Sequence, residues 1–475
     1  MEMHGKTNSI HLGIEILTPV QCGSGQELFK KLDYVEKDHK VFIVDQAQSF
    51  NEVASNDADT NNLLMGGKDL SDLVELAGYF GYSLPMFSRS SKVPEKIREH
   101  LKDAHDQPYI PGSSLKGAIR SALIAWYLRS LSDTNFQRLL PNATDSAKDK
   151  KGKHADNKLL EHLLGKEPKQ DIFRALHVKD AMFKTGDLCL VDVRWLNLTG
   201  NADRPEVKWR SITAHNSFSE WHDADGIYAE MLTPKSQASF QLQWDEFLLS
   251  DLSRWHGAAN DILPRTLEDL RTRLNAHANY RLQQEIDFYY AHCKYGKRAP
   301  AQECEILQKH IKDDPDSIYL QLSWGSGWRG MTGDWMDDGL ELEMRELYNL
   351  DSGRRTMPFP KTRRLAVSGE PKLPLGWIRL FPYIQIEEKL ELNQAQKAEQ
   401  WLAETIAALK TDKDLKGQTE ENLWKKPLSE KWLRAPGELK QPVLELIKSK
   451  WKDFGISWEQ PKGQSAESAK RNFTQ

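Results

Sequence analysis

Basic residues are concentrated in one short stretch in the last third of the chain. Between Asp351 and Arg379, seven basic residues face two acids, so the stretch carries +5 in a chain whose net charge is −4. Arginine binds phosphate through paired hydrogen bonds, and a polyanion is therefore the partner that this charge favours. A solvated surface loop is the alternative. The basic residues are Arg354, Arg355, Lys361, Arg363, Arg364, Lys372 and Arg379.

A glycine-rich segment, Gly325–Gly330, precedes the basic stretch. Glycines permit close approach of a ligand to the backbone, and free N–H groups there suit phosphate oxygens. Trp324 and Trp328 are candidates for stacking on nucleobases, and Arg329 for contacting a phosphate. The segment lacks the Lys-Ser/Thr pair of a Walker A loop, and a tight turn is the alternative.

A third candidate site begins at Gly112, where an extended segment turns into a helix. The backbone N–H groups at the start of a helix attract anions, and Lys116 and Arg120 would add positive charge there. Ser113 and Ser114 supply the turn and the N-cap. An amphipathic helix accounts for the apolar positions but leaves the Gly-Ser-Ser-Leu-Lys-Gly run unexplained.

These segments must be positioned by a polar but globular chain of 475 residues, for which length alone suggests about three domains. Its 44 aromatic residues exclude wholesale disorder, and no apolar stretch is long enough to span a membrane. The N-terminal residues lack a signal-peptide pattern, so we expect a cytoplasmic protein. The four cysteines form no CxxC motif, and we expect free thiols and neither metal nor cofactor.

The order of elements favours an α+β fold. Strand patterns at 11–20, 40–45, 176–178, 188–195, 227–232, 239–242, 318–324 and 376–384 are interrupted by helical patterns at 69–80, 112–131, 245–294 and 336–348. We interpret 351–375 as an extended loop, 388 onwards as helical, and 461–475 as disordered. This irregular order suits a ferredoxin-like core with large insertions better than a doubly wound sheet.

Three motifs in this order resemble a known family. They are Ile110–Gly117 followed by Ile119-Arg120, the strand end Leu17–Val20 followed by Gly23-Ser24-Gly25, and Lys361–Arg364 followed by Pro374–Trp377. The first two resemble RAMP proteins of type III CRISPR effectors. The third is similar to the family of fifth subunits of type III-A Csm complexes. The resemblance covers about residues 10–385.

The resemblance implies an RRM-like RAMP fold and a non-catalytic subunit that binds CRISPR RNA. Such a subunit caps the backbone filament at the 3′ end of the guide and supports its maturation and antiviral defence. The implied partners are CRISPR RNA, the target RNA duplex and other Csm subunits, especially the backbone RAMP subunit, with no membrane. The implied RNA-binding residues are Ser113, Ser114, Lys116, Arg120 and Arg210, besides the candidates Trp328, Arg329, Lys361, Arg363 and Arg364.

The implied domains follow the same order. They are an N-terminal RAMP domain at 1–244 with a thumb near 197–228, a helical insertion at 245–315, a C-terminal RAMP-like region at 316–387 and a helical extension at 388–475. Residues 211–225 would form the projecting part of the thumb.

Two other function classes stay open. One is a metal-dependent ribonuclease that cleaves target RNA, in which Asp33, the His105-Asp106 pair, or His215 and His222 would act. A turn residue and solvated side chains are the plainer interpretations of these positions. The other class is a scaffold that binds only protein, against which the +5 stretch argues.

Overall fold

The computed structural model describes residues 7–474 except 38–39, 46–47, 49–79, 89–93, 133, 137, 140–156, 202–203, 212–215, 252–254, 256–257, 295–296, 323, 333, 337, 349–357, 384–385, 434 and 436. The strands are β1 Thr7–Ile16, β2 Gly23–Phe29, β3 Tyr34–Lys37, β4 Lys40–Val44, β5 Phe80–Pro85, β6 Lys96–His100, β7 Tyr109–Ile110, β8 Leu176–Val178, β9 Ala181–Met182, β10 Leu188–Asn201, β11 Arg204–Arg210, β12 Ser217–Phe218, β13 Ile227–Leu232, β14 Gln237–Asp245, β15 Ile318–Gln321, β16 Thr362–Ser368, β17 Glu370–Pro374 and β18 Trp377–Pro382.

The α-helices are α1 Gly112–Ser130, α2 Asn157–Leu164, α3 Glu246–Ser250, α4 Ala259–Ile262, α5 Leu267–His292, α6 Ala299–Asp313, α7 Gly327–Thr332, α8 Asp338–Tyr348, α9 Ile386–Thr411, α10 Glu420–Leu423, α11 Lys426–Trp432, α12 Gly437–Asp453 and α13 Gln464–Phe473. The helix expected at 69–80 falls almost wholly outside the described residues.

The central sheet has the ferredoxin-like βαββαβ topology. Its strands lie in the order β15-β18-β1-β14-β8, and the pairings are antiparallel. In chain order β1, α1, β8, β14, α5 and β18 form the repeat, with β15 added at the edge. Alternate residues of β1, including Leu12, Ile14 and Ile16, are buried because side chains of a strand alternate between faces. The α+β, ferredoxin-like prediction is confirmed.

The two helices of this repeat lie where the sequence predicts helices. In α1, Leu115, Ile119, Ala122 and Leu123 are buried at helical spacing. The region 245–294 forms three helices, of which α5 spans 26 residues and packs on α1. The expected helix near 336–348 is also present, as α8.

A second sheet contains the other motif-bearing strands. It runs β12-β11-β10-β13-β6-β2, and the β16–β17 hairpin pairs with β10. The expectation of an extended loop over 351–375 is therefore wrong for 362–374, while 351–357 lie outside the described residues. The alternation typical of a strand is not visible in the sequence of Thr362–Ser368, because two consecutive arginines occupy it and one of them, Arg363, points into the apolar core.

The chain divides into two compact units, Met1–Tyr383 and Ile384–Gln475. The second unit consists of α9–α13 around a core that includes Trp432, Trp451 and Phe473. The expectation of disorder at 461–475 is wrong for 464–473, which form α13. Ala466, Ala469 and Phe473 recur at helical spacing and are buried, and the Phe473 ring lies 5.9 Å from that of Trp451.

All four cysteines are buried free thiols. Burial raises the pKa of Cys189 to about 12 and that of Cys293 to about 11. Among the described residues, no helix is both long enough and apolar enough to cross a membrane.

Candidate nucleic-acid interface

Neighbouring arginines on β16 point to opposite faces of the second sheet. Arg363 points inward, where its Nε donates to Glu285 Oε2 at 2.5 Å and its guanidinium lies 3.8 Å from the centre of the Phe288 ring. Its side chain is only 11% exposed. Burial lowers the pKa of Arg363, but the charge of Glu285, its hydrogen bond and the charges of Tyr289 and Asp334 together outweigh burial and raise that pKa. Arg363 thus stabilises the contact between β16 and α5, whereas Arg364 points to the other face.

Arg364 belongs to a row of alternating cationic and aromatic side chains. In the sheet register, Trp195 lies opposite Arg364 on one side and Arg210 on the other. The guanidinium of Arg364 lies 5.4 Å from the Trp195 ring and 4.9 Å from the Trp324 ring. Arg210 lies 5.7 Å from Trp195, and Arg98 lies 5.1 Å from Trp324. We call this row, Arg98–Trp324–Arg364–Trp195–Arg210, the Arg–Trp ladder.

The ladder carries positive charge. At two of its positions, no carboxylate in the described part of the chain neutralises that charge. No described carboxylate forms an ion pair with Arg98 or Arg364. Burial and, after it, the charge of Arg98 lower the pKa of Arg364. Two like charges therefore lie on either side of Trp324, an arrangement that an anion would stabilise.

Buried polar atoms beside the ladder also lack partners. The Nε1 of Trp195 and the Oδ1 of Asn197, two residues along the same face of β10, have no hydrogen-bond partner among the described residues. Both atoms are closed off from solvent, so this part of β10 leaves hydrogen-bonding capacity unused, at a cost of about 1–3 kcal/mol for each unpaired group.

The glycine-rich segment positions Trp324 in the ladder. The Trp324 N–H donates to the Gln21 carbonyl at 3.2 Å, and Gly325 has a φ of +104°. A Cβ on Gly376 would lie 2.2 Å from the Leu322 carbonyl oxygen, so only glycine fits there. Part of the expected loop is helical, since α7 begins at Gly327.

Trp328 and Arg329 lie on α7 and contact other parts of the chain. The Trp328 ring packs edge-on against Phe359 with 5.0 Å between ring centres. Arg329 donates to Asp334 at 2.6 Å and to Glu341 at 3.0 Å. Arg281 on α5 donates to the same Asp334 at 2.9 Å. These contacts tie α7 to α5 and α8, and RNA binding by Trp328 and Arg329 stays a prediction.

A backbone N–H at the start of α1 already has an acceptor, which is a carboxylate of the chain itself. Asp180 accepts from the Gly112 N–H at 2.7 Å, and a Cβ on Gly112 would lie 2.1 Å from the Val178 carbonyl oxygen. The expected N-cap position is instead held by Pro111 without a side-chain cap, and Ser113 and Ser114 lie in the first turn. The glycine is therefore explained by the close approach of α1 to β8.

The polar side chains of the first turns of α1 differ in exposure. Ser113 is exposed, while Ser114, Lys116 and Arg120 are half-buried. Arg120 pairs with Asp171 at 3.3 Å. Burial lowers the pKa of Lys116. These four residues lie on α1, which packs against β8 of the central sheet, whereas the Arg–Trp ladder lies on the second sheet.

The expected thumb is a β10–β11 ribbon. The described residues of 211–225 do not project from it but fold back, with β12 paired to β11 and the Arg194 guanidinium donating to the Trp221 and Ala224 carbonyls. Lys361 immediately precedes β16, and its carbonyl accepts from Leu198 N–H at 2.9 Å. The strand pairing thus holds Lys361 beside β10.

Comparison with protein families matches residues 13–277, more than half of the chain, to the model of the RAMP superfamily. The chain belongs to the RAMP superfamily. The matched region of this chain includes the end of β1, α1 and the two strands of the β10–β11 ribbon, and with them three of the five ladder residues, Arg98, Trp195 and Arg210.

Individual RAMP relatives are distant in sequence, and this chain covers most of the length of each. The Csm5 protein of Methanocaldococcus jannaschii is 22% identical over 404 residues, which cover 77% of this chain and 87% of that protein. A chain from a cryo-EM structure of a Csm–crRNA–target RNA ternary complex is 22% identical with a TM-score of 0.56, covering 78% of this chain and all of that one. The crystal structure of T. onnurineus Csm5 is 20% identical with a TM-score of 0.52, covering 77% and 99%.

The residues considered for metal-dependent cleavage do not converge in this RAMP protein. Asp33 Oδ2 accepts from the Phe29 N–H at 2.8 Å, as in a turn. His105 and His222 are exposed beside Asp103 and Asp223, and His215 lies outside the described residues. Within the described part of the chain, no three His, Cys, Asp or Glu side chains form a group that could hold a metal ion.

Sequence reasoning missed two members of the ladder, Arg98 and Trp195. Neither adjoins a glycine loop or a stretch of net positive charge. The available signal was weak: a basic residue at every second position of Lys96–Arg98, and a tryptophan inside the strand pattern at 188–195. Only the sheet pairing brings them to one face with Arg364.

Proposed function

We propose that this chain is a CRISPR RNA-binding, non-catalytic subunit of a type III-A Csm effector complex. In this role it caps the filament of backbone RAMP subunits at the 3′ end of the guide and supports guide maturation and antiviral defence. The names of its relatives, Csm5 and a chain of a Csm–crRNA–target RNA complex, support this proposal.

The Arg–Trp ladder is the observation that carries the RNA-binding part. Guanidinium groups pair with phosphates and indole rings stack with unpaired bases, so an alternating row of the two suits a single RNA strand. Two of the guanidiniums, those of Arg98 and Arg364, have no carboxylate partner in the described chain. An anionic strand would neutralise them.

The proposal of a non-catalytic role rests on what the candidate catalytic residues do. Asp33 closes a turn, and the histidine candidates that the structure describes are solvated. In the proposed complex, target cleavage would belong to the neighbouring backbone subunits.

The test is the salt dependence of RNA binding by the full chain. Fluorescence anisotropy with labelled single-stranded RNA, measured at several salt concentrations, gives the slope of log K against log[salt]. We expect Arg98→Ala and Arg364→Ala each to flatten that slope by about 0.7, the value for one phosphate contact on a single strand. Arg174→Ala, at an exposed arginine outside the ladder, is the matched control and should leave the slope unchanged.

The outcome that contradicts RNA binding by the ladder is an unaltered slope in both variants. Assembly is tested separately by purifying the tagged chain from its native host and sequencing the RNA and identifying the proteins that co-purify. Recovery of guide RNA together with the other Csm subunits is expected, and recovery of proteins without RNA would favour the protein-only scaffold.

A further inference from the structure

A cavity of about 580 Å³ opens at the Arg98 end of the ladder. Its volume lies in the range of sites that hold small ligands. It lies between the edge strand β2, the neighbouring β6 and Trp324, which immediately precedes the glycine-rich segment. Residues on its walls include Gln21, Gly25, Phe29, Arg98, Glu99 and Trp324.

The walls combine aromatic rings with cations. The register pairs Glu27 with Arg98 and Phe29 with Lys96, so these four side chains share one face of β2 and β6. Phe29 is 41% exposed, which is unusual for so large an apolar side chain. The Lys96 ammonium lies 4.8 Å from the centre of its ring.

The acids at the cavity already have partners. Glu99 accepts from the Ser24 hydroxyl at 2.7 Å and pairs with Lys102 at 3.0 Å. Glu27 pairs with Lys96 at 3.2 Å. Neither of these carboxylates forms an ion pair with Arg98, which belongs to the cavity wall and to the ladder alike.

We propose that this cavity holds one unpaired nucleotide of the bound RNA strand, with its base against Phe29 and Trp324 and its phosphate on Arg98. The proposal rests on the proposed function, because it assumes that RNA follows the ladder. Continuity supports it: a strand lying along Arg210, Trp195 and Arg364 reaches the cavity at the residues that the two sites share. An exposed phenylalanine beside unpaired positive charge suits a nucleobase and its phosphate together.

The test compares two RNA probes of equal length, one ordinary and one abasic at every position. Both keep the phosphates, but only the first has bases. We expect Phe29→Ala to weaken binding of the ordinary RNA at least about fivefold, as for loss of one stacked base, and to leave binding of the abasic RNA unchanged. Phe247→Ala, at a phenylalanine on α3 that is 55% exposed, is the control and should affect neither probe.

A second measurement uses the wild-type chain and does not depend on how the variant folds. Single-stranded RNA containing 5-iodouridine is irradiated on the protein, and the crosslinked peptides are mapped by mass spectrometry. Adducts at Phe29 or Trp324 are expected.

The outcomes separate the two proposals. Equal weakening of both probes by Phe29→Ala, no effect on either, or adducts only elsewhere would overturn the cavity assignment while RNA binding stands. Failure of the wild-type chain to bind either probe would overturn the proposed function, and the cavity assignment with it.

Discussion

At the scale of single residues, Arg363 and Arg364 have different roles. Arg363 stabilises the contact between β16 and α5, and Arg364 is proposed to bind RNA. Arg363→Met would leave Glu285, which is only 15% exposed, without its cation. Breaking a fully buried pair costs about 3–5 kcal/mol, and this half-buried pair should cost less, so the melting temperature should fall while the salt slope of RNA binding stays the same. Replacing both partners with Met should restore most of the stability. A weaker, less salt-dependent RNA complex without loss of stability would instead show that Arg363 contacts RNA.

A buried histidine gives a pH dependence of known sign. His100 is inaccessible to solvent, its Nδ1 accepts from the Cys22 N–H at 3.3 Å, and burial lowers its pKa to about 3. Below pH 6.5 the unfolded chain takes up a proton at this site and the folded chain does not. Stability contributed by the neutral ring is therefore complete above about pH 6.5 and is lost as the pH falls towards 3.

The slope attributable to His100 should approach about 1.4 kcal/mol per pH unit, the value for one proton. Urea unfolding at pH 7, 6 and 5 measures it. His100→Gln, whose amide oxygen can still accept from Cys22, should show a correspondingly shallower loss than the wild type. Parallel curves for the two proteins would show that His100 is protonated in the folded state. Burial also lowers the pKa of His277. This residue is present in both proteins, so its contribution to the pH dependence of stability cancels in the comparison.

At the scale of elements, α1 offers a matched pair of glycines. A Cβ on Gly112 would clash with the Val178 carbonyl, whereas one on Gly117 meets nothing within 4 Å. Gly112→Ala should therefore lower the melting temperature, and Gly117→Ala should raise stability by about 1 kcal/mol through helix propensity. Circular dichroism melts compare them. Stabilisation by both substitutions would mean that α1 does not approach β8 closely.

The same pair tests the RNA role expected for this helix start. If RNA lies on the exposed turn of Ser113 and Gly117, Gly117→Ala should weaken RNA binding in spite of its greater stability. Unchanged RNA affinity of Gly117→Ala would show that the motif at the start of α1 serves helix packing and does not bind RNA.

Elements with a regular apolar period could be predicted from the sequence, and those with charges inside the core could not. Leu115, Ile119 and Leu123 mark α1 directly. Thr362–Ser368 is a strand whose inward positions include Arg363, and its partner Glu285 lies 78 residues earlier in the chain. The ladder was missed for the same reason, because Arg98, Trp195 and Arg364 become neighbours only through strand pairing.

At the scale of the whole molecule, the chain divides into two compact units. The solved relatives are covered along 99–100% of their length by 77–78% of this chain. Residues 384–475 have a core of their own, built on several tryptophans. We therefore expect a chain ending at Tyr383 to keep the melting transition and RNA affinity of the first unit.

Differential scanning calorimetry and anisotropy on the shortened chain test this independence. Residues 384–475 produced alone should also melt cooperatively. Loss of RNA binding in the shortened chain, with its melting transition intact, would assign the second unit a part in RNA binding.

Strand β16 has one side that faces the core and one that faces the proposed ligand. It therefore limits which insertions and deletions the gene can tolerate. An in-frame insertion or deletion of one codon before Arg363 would exchange the faces of all residues that follow it in the strand. It would bring Arg364 against α5 and turn Arg363 outward, so core and ligand surface would be lost in a single event. Length variation in descendants of this gene should therefore accumulate outside the strand, for example at the Gly369 turn, where the backbone has a φ of +78° and an added Cβ meets nothing within 4 Å.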